Sequence, residues 1–347
     1  MPWVFTRTAV RTAWVAVLAL QAPLWRTDAS PQEPRDAAQQ KIVANTNLVV
    51  LPVTVKDGSG NLLAGLTAED FRVFEDGVEQ RIEVFSADAM PLSIVVLIDD
   101  DFKAEDAREA APSLRAILAG ISASDEAMVC RFDLEFYPGE GFTSDGDRLL
   151  AELKGAQEAS KERPPVFVPW GSSPSWHVPS TGEPPIAAPT NAGSRPTKAL
   201  DDAVYAAAEL LKVRGRERRK IVLIVSDGIN GPEFNKHHYE QTVGELLAGN
   251  VSVFGVAVGG TSYRKKFRRL RDYASESGGD VYYARDERMI DQAYTRIAEE
   301  ARHQYTLAYE PRGVGRAPYH AVKVAVNRPG MVVKTREGYY EGPPLGE

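Results

Sequence analysis

Apolar positions in this chain follow two rhythms. Through the middle they run unbroken: Ser93-Ile94-Val95-Val96-Leu97-Ile98 leads into Asp99, and Ile221-Val222-Leu223-Ile224-Val225-Ser226 leads into Asp227-Gly228. Val/Ile/Leu runs without polar alternation belong to strands buried on both faces, as in parallel sheets. The pattern predicts strands over Leu92–Ile98, Ala127–Phe132, Lys220–Ser226, Val251–Val258 and Val281–Tyr283. Helical periodicity fills the gaps, over Glu105–Leu118, Gly146–Leu153, Ala199–Leu211, Tyr239–Leu247, Tyr263–Ser277 and Met289–Arg302. Such alternation specifies an α/β fold, a doubly wound, mostly parallel sheet with helices on both faces.

Both flanks change to strand patterning. Leu48–Val55 meets a turn at Asp57-Gly58-Ser59-Gly60, and Phe71–Glu75 turns at Asp76-Gly77 into a strand over Gln80–Phe85. Asp-Gly between alternating runs is a strong hairpin signal. Pro52 marks its strand as an edge or a bulge, because proline gives a ladder no N–H. Past His303, strands are expected over Gln304–Tyr309, His320–Val326 and Val332–Arg336. Neither flank has enough strands to be stable alone. The expected organisation is therefore one small β-sandwich-like domain built from 47–88 and 304–340, bracketing an α/β domain over 90–303.

Between Arg163 and Thr197 stand nine prolines, interleaved with Ser, Gly and Thr and carrying Phe167, Trp170, Trp176 and His177. We read 155–197 as an insertion on the crevice face of the sheet. A loop of that length is usually functional or disordered. Trp170 and Trp176 are candidate partner contacts, since tryptophan is enriched at binding hot spots.

Charge and composition narrow the setting. A formal charge of −7 argues against nucleic acid as the main partner. Arg7 and Arg11 precede the apolar stretch Ala13–Leu20, and Thr27-Asp28-Ala29 supplies small residues for cleavage. Residues 1–29 thus read as an export signal, followed by a polar linker over 30–46. An uncleaved anchor is the rival reading, but the stretch is shorter than the roughly 20 residues that span a bilayer. The expected location is periplasm, outer surface or medium. Cys130 is the sole cysteine, so no internal disulfide forms, and its apolar setting reads as a buried structural thiol.

The basic runs Arg214–Lys220 and Arg264–Arg271 read as solvated surface, with contact to an anionic envelope surface as a secondary reading. His237-His238 with Glu240 and Glu245 matches no zinc spacing and reads as a solvated helix start. Nucleophile elbows, phosphate-binding glycine loops and Cys/His arrangements are absent from the sequence.

Asp99 and Asp227 each follow a buried strand, and ligands of open α/β sheets bind beyond the carboxyl ends of the strands where their order reverses. The two carboxylates are therefore expected to share one crevice.

Several segments in this order resemble the von Willebrand factor type A domain, and more narrowly the exported bacterial "VWFA-related" proteins known chiefly from Acidobacteria. They are Gly65-Leu66-Thr67-Ala68-Glu69-Asp70-Phe71, Val73-Phe74-Glu75-Asp76-Gly77, Pro91-Leu92-Ser93, Phe142-Thr143-Ser144-Asp145, Gln304-Tyr305-Thr306-Leu307-Ala308-Tyr309-Glu310-Pro311 and Arg336-Glu337-Gly338-Tyr339-Tyr340. The resemblance covers most of the chain after the signal and implies a Rossmann-like wound sheet. It also implies a metal-ion-dependent adhesion site, in which Asp-x-Ser-x-Ser, a Thr and an Asp from three loops hold Mg²⁺ or Mn²⁺. Hard cations of this kind take oxygen ligands and keep positions open for water or a partner's carboxylate.

Here the first segment reads Asp99-Asp100-Asp101-Phe102-Lys103, so Asp101 and Lys103 replace the two serines. At the threonine position stands Lys198, with Thr197 one residue away. A protonated ammonium repels a cation and attracts carboxylates. The expectation is a metal-free site in which Lys103, helped by Lys198, neutralises Asp99, Asp101 and Asp227. The alternative is that Asp101 offsets the lost hydroxyls and that Asp99, Asp101, Asp227 and Thr197 still hold Mg²⁺ or Mn²⁺. The expected role is a non-catalytic protein-interaction or adhesion module. It would meet a protein partner, through an acidic side chain of that partner, over Lys103, Lys198, Asp100 and the two tryptophans. The other reading is a structural or assembly subunit of a cell-envelope complex with a vestigial crevice.

Overall fold

The computed structural model describes residues 48–100, 121–162, 198–258, 267–284, 287–315 and 317–341. Six strands form the central sheet: β5 (Leu92–Asp99), β6 (Glu126–Phe132), β7 (Phe136–Tyr137), β8 (Arg219–Ser226), β9 (Val251–Val258) and β10 (Val281–Ala284). Their order is β10-β9-β8-β5-β6-β7. All neighbours pair in parallel except β7, which turns back antiparallel against β6. Counted from β5, this is the 3-2-1-4-5-6 order of a doubly wound sheet, with its reversal between β5 and β8. The two-residue strand β7 was not anticipated, being too short to carry a period.

Alternate residues of β5 enter different cores. Leu92, Ile94, Val96 and Ile98 pack with Leu149 and Leu153 of α1 (Gly146–Glu162) and with Ala293, Tyr294, Ile297 and Ala301 of α5 (Glu287–Arg302). Val95 and Leu97 face α2 (Leu200–Lys212), α3 (Tyr239–Gly249) and α4 (Arg268–Ser277). A strand covered on both faces has no place for polar alternation, which accounts for the unbroken run. Helix α1 continues to Glu162, past the expected insertion boundary at 155. The helix expected over Glu105–Leu118 and the Pro-rich segment lie outside the described residues. No described helix is long and apolar enough to cross a membrane.

The flanks combine strand by strand. One sheet has the order β13-β1-β11-β4, from Val332–Lys334, Val49–Lys56, Tyr305–Tyr309 and Ile82–Ser86. The other has the order β14-β12-β2-β3, from Gly338–Tyr340, Tyr319–Val326, Phe71–Glu75 and Val78–Gln80. Leu51, Val53, Leu307 and Tyr309 of the first sheet share one core with Phe71, Val73, Val322 and Val324 of the second, so the pair is a sandwich.

Three sequence expectations are corrected here. The strand read over Gln80–Phe85 is two strands: β3 closes the hairpin on β2, the ladder breaks at Arg81, and β4 crosses to the other sheet beside β11. Pro52 lies on an interior strand, but β13 reaches only Thr54–Lys56, so Pro52 pairs on one side alone, with Thr306. The strand β14 was also missed. The hairpin itself is as expected, with Asp76 at φ 48° and Gly77 at φ 82°, the left-handed pair of a type I′ turn.

The sandwich is joined to the wound sheet at the amino ends of its strands, opposite the aspartate crevice. Lys56 Nζ lies 2.6 Å from Glu300 and 2.9 Å from Asp280, and Lys334 reaches Asp280 at 2.5 Å. Arg219 donates to the Gln304 carbonyl at 2.5 Å and to Thr306 Oγ1 at 3.0 Å. Arg336 donates to Asn250 Oδ1 at 2.9 Å beyond the end of α3. Gly278 closes α4 at φ 81°, where a Cβ would stand 2.7 Å from the Arg336 nitrogen.

These contacts overturn the solvated reading of the first basic run. Arg219 and Lys220 are buried. Arg214 and Arg218 close on Glu126 at 2.6 and 3.3 Å, and Arg218 also donates to the Leu92 carbonyl. Of the second run, Phe267 and Leu270 are buried, while Arg269 stacks over Tyr239 at 4.5 Å.

Candidate functional site

Asp99 is the last residue of β5, and Asp227 directly follows β8. These two strands are hydrogen-bonded neighbours at the reversal of strand order. Their carboxylates therefore open on one crevice, as the sequence required. Between them lies Lys198. Its Nζ donates to Asp99 Oδ2 at 2.8 Å and to Asp227 Oδ1 at 2.9 Å. Lys198 and Asp99 are each 1% exposed, whereas a quarter of the Asp227 side chain reaches solvent.

The backbone around the lysine is fixed on both sides. Ala199 N–H donates to the Asp133 carbonyl and Gly231 N–H to the Lys198 carbonyl, each at 2.8 Å. Asn230 Oδ1 accepts from Leu200 N–H at the open start of α2. Across the crevice, Ser226 Oγ donates to Asp99 Oδ2 at 2.6 Å and accepts from Gly228 N–H at 3.0 Å. Asp227 Oδ1 also accepts from Ile229 N–H, tightening a turn in which Gly228 has φ 75°.

Electrostatics follow from burial and company. Burial works against charge on Lys198, but the carboxylates of Asp99 and Asp227 outweigh it and hold the ammonium above the ordinary lysine range. Asp99 is pushed up, first by burial and also by Asp227, against the pull of Lys198 and Ser226. The lysine therefore stays protonated, in a position shared by two carboxylates.

Asp100 has a partner of its own, Arg131. It is buried to the side, where Arg131 donates to its Oδ2 at 2.9 Å, and that guanidinium also covers the Tyr137 ring. Lys103, Asp101, Thr197, Trp170 and Trp176 lie outside the described residues. Among the described residues, the ammonium between the aspartates belongs to Lys198, which the sequence reading had given only a helping part.

Two further groups at this rim were missed. Asp201, in the first turn of α2, accepts from Tyr273 Oη at 2.7 Å and from Asn230 Nδ2 at 2.9 Å, with Arg269 at 3.3 Å. Burial pushes its carboxyl up against these partners. Asp202 accepts from Lys236 N–H, His237 N–H and His237 Nδ1, and the His237 ring stacks on Tyr205 at 3.8 Å. The acidic first turn of α2 was the available signal. His237 and His238 thus serve helix geometry, with Gln241 accepting from His238 N–H. Glu245 is not solvated but buried against Lys212 at 2.6 Å.

The wound order with an antiparallel edge strand decides the fold. The α/β portion has a von Willebrand factor type A-like fold. No protein-family model matches the chain, and no curated protein matches it. Solved structures with similar folds include a von Willebrand factor type A protein from Catenulispora acidiphila, at 10% identity and TM-score 0.42 over 86% of this chain and 75% of that one. A mutated aerotolerance-related membrane protein from Bacteroides fragilis is similar at 12% identity and TM-score 0.40, over 60% of this chain and 98% of its own. Manganese-loaded TRAP protein from Plasmodium vivax is similar at 10% identity and TM-score 0.39, over 78% and 100%. At such values the likeness adds nothing to the strand order.

A type A-like domain invites the question of whether its adhesion-site cation fits here. The described residues do not suit one. An ammonium lies within hydrogen-bond distance of both aspartates, and a protonated lysine offers three donors and no lone pair.

Proposed function

We propose that this chain is an exported protein-interaction module whose type A-like crevice is set permanently by a lysine instead of by a cation. The carrying observation is Lys198 Nζ bridging Asp99 and Asp227 at 2.8 and 2.9 Å inside the domain. A metal-centred site offers a partner's carboxylate an open coordination position. Lys198 is buried and offers none, so the partner would meet the rim, the exposed edge of Asp227 and the 228–238 loop, with Trp170 and Trp176 as further contacts expected from the sequence. Catalysis has no support at this crevice. Among the described residues, the group beside Ser226 Oγ is the Asp99 carboxylate, which the Lys198 ammonium already engages.

Binding by wild-type chain should be indifferent to chelator, and its melting temperature should not move in millimolar Mg²⁺ or Mn²⁺. Replacing Lys198 by Thr, alone or with Lys103→Ser, should create cation dependence by restoring hydroxyl ligands. A Mn²⁺-dependent rise in the melt that is lost in Asp227→Asn would overturn the lysine-set reading. A second reading, a structural subunit of an envelope complex, is favoured by how completely Lys198 satisfies the crevice internally. It predicts that Asp227→Ala, Trp170→Ala and Trp176→Ala leave capture of envelope proteins unchanged.

A further inference from the structure

A second charged cluster lies in the sandwich, where the β2–β3 hairpin meets β12. His320 is 1% exposed and Glu75 is fully buried. His320 Nδ1 stands 2.7 Å from Asp76 Oδ2 and 3.4 Å from Glu75 Oε1. One atom each from Glu75, Asp76 and His320 falls within 4.8 Å of the others. Strand register brings them together: Glu75 pairs with Val322 across β2 and β12, two residues from His320, and the carboxylate of left-handed Asp76 accepts from Ala321 N–H of β12 at 2.9 Å.

Two observations point beyond an ion pair. Glu75 Oε2 is sealed from solvent and meets no donor at full hydrogen-bond geometry, the Tyr309 hydroxyl approaching the carboxylate without closing that geometry. An unsatisfied buried carboxylate oxygen is costly. The outer groups also have the arrangement that metal-ligating side chains use. His320 Nε2, on the far side of the ring, faces Glu341 Oε2 at 3.5 Å, and Tyr339 Oη donates to Glu75 Oε1 at 2.8 Å. A histidine that ligates through one nitrogen commonly gives its other N–H to a carboxylate, and ligating carboxylates are themselves hydrogen-bonded.

We propose that Glu75, Asp76 and His320 Nδ1 form a binding site for a zinc-class divalent ion, with Glu341 and Tyr339 orienting the ligands. One imidazole with two carboxylates suits Zn²⁺ and is a poor match for Mg²⁺ or Ca²⁺. The fourth position opens toward solvent on the side of Asp76, whose side chain is 35% exposed. The Nδ1–Asp76 separation is that of a hydrogen bond. It would open by about half an ångström to the edge of roughly 3.3 Å set by zinc–ligand distances near 2.0 Å. The ion replaces the imidazole proton that now holds Asp76. It pins the hairpin, β12 and the segment after β14 to one centre, on a different part of the fold from the Lys198 crevice.

Titration of the metal-stripped full chain with Zn²⁺ tests this by calorimetry, in a background where His237, His238 and His303 are replaced by alanine to remove the other imidazoles of the described residues. One equivalent should bind and raise the melting temperature, and millimolar Mg²⁺ or Ca²⁺ should not displace it. His320→Ala should abolish binding. Asp76→Asn, which keeps a residue tolerant of the left-handed turn, should weaken it at least tenfold. Tyr339→Phe or Glu341→Gln should weaken it about 10–100-fold, as loss of an orienting group does. Arg72→Ala, at an exposed ion pair on the same strand as Glu75, should leave it intact. With Co²⁺ in place of zinc, a visible absorption band should appear and be lost in Asp76→Asn. Absence of saturable Zn²⁺ binding, or binding unmoved by both His320→Ala and Asp76→Asn, would sink the proposal and leave the cluster as an imidazolium clamp.

Discussion

Lys198 and Asp99 meet at 2.8 Å with both side chains shut away from water, although 99 positions of sequence separate them. Removing one partner of a buried pair leaves an uncompensated charge, which costs about 3–5 kcal/mol. Lys198→Met should lower the urea unfolding free energy by that amount. Asp99→Asn in the same chain should return part of the loss, because it removes the stranded carboxylate. A single mutant as stable as wild type would mean that the pair is not buried as described.

The seam between sandwich and wound sheet should be equally sensitive. Glu300 is 1% exposed and relies on Lys56, whereas Asp280 also has Lys334. Lys56→Met therefore strands Glu300 and should cost about 3–5 kcal/mol. Adding Glu300→Gln should recover much of it, since contacting sites are strongly non-additive. Chemical denaturation of the two single mutants and the double mutant measures the coupling.

Acid should attack the start of β5. Burial pushes Asp125 up, but N–H donors from Ser122 and Leu92, the Ser122 hydroxyl and Arg302 outweigh it, so its carboxyl lies below the ordinary range. A depressed carboxylate gives its full stabilisation above the unfolded value near 4 and loses it as pH falls through the folded value. Unfolding free energies taken from pH 6 to pH 3 should fall less steeply in Asp125→Asn than in wild type. Identical slopes would remove Asp125 from the acid transition.

Cys130 should be inert while the fold persists. It is fully buried in β6, and burial pushes its thiol up to about 11. Little thiolate forms at neutral pH, and the thiolate is the reactive species. A thiol reagent should label the chain only at the rate of unfolding. Rapid stoichiometric labelling of native protein would contradict the placement.

Much of this fold was legible because burial on two faces leaves a clear record. The runs before Asp99 and Asp227 could only be central strands, and their carboxyl ends located the crevice. What escaped the sequence was decided by contacts between distant segments. The strand break at Arg81 depends on β11, which draws β4 into the other sheet. The basic run Arg214–Lys220 has the composition of a surface, yet Arg219 and Lys220 are covered where the sandwich joins the sheet. Lys198 was visible as a departure from a pattern, but its central position rests on how Asn230 and Asp133 hold the start of α2. The Glu75–His320 cluster joins flanks far apart in sequence, and no spacing within either flank announces it.

The interleaving of the two flanks also governs when this molecule can finish folding. Val49 finds its ladder partner in Tyr309, and Phe71 finds its partner in Val326. During synthesis the first apolar strands emerge with only the β2–β3 hairpin available, and an isolated hairpin is marginal in water. They must wait, unpaired and prone to association, until almost the whole wound sheet has been made. A chain stopped before β11 would therefore present two orphaned strands, and closure of the clasp reports that translation has passed that point.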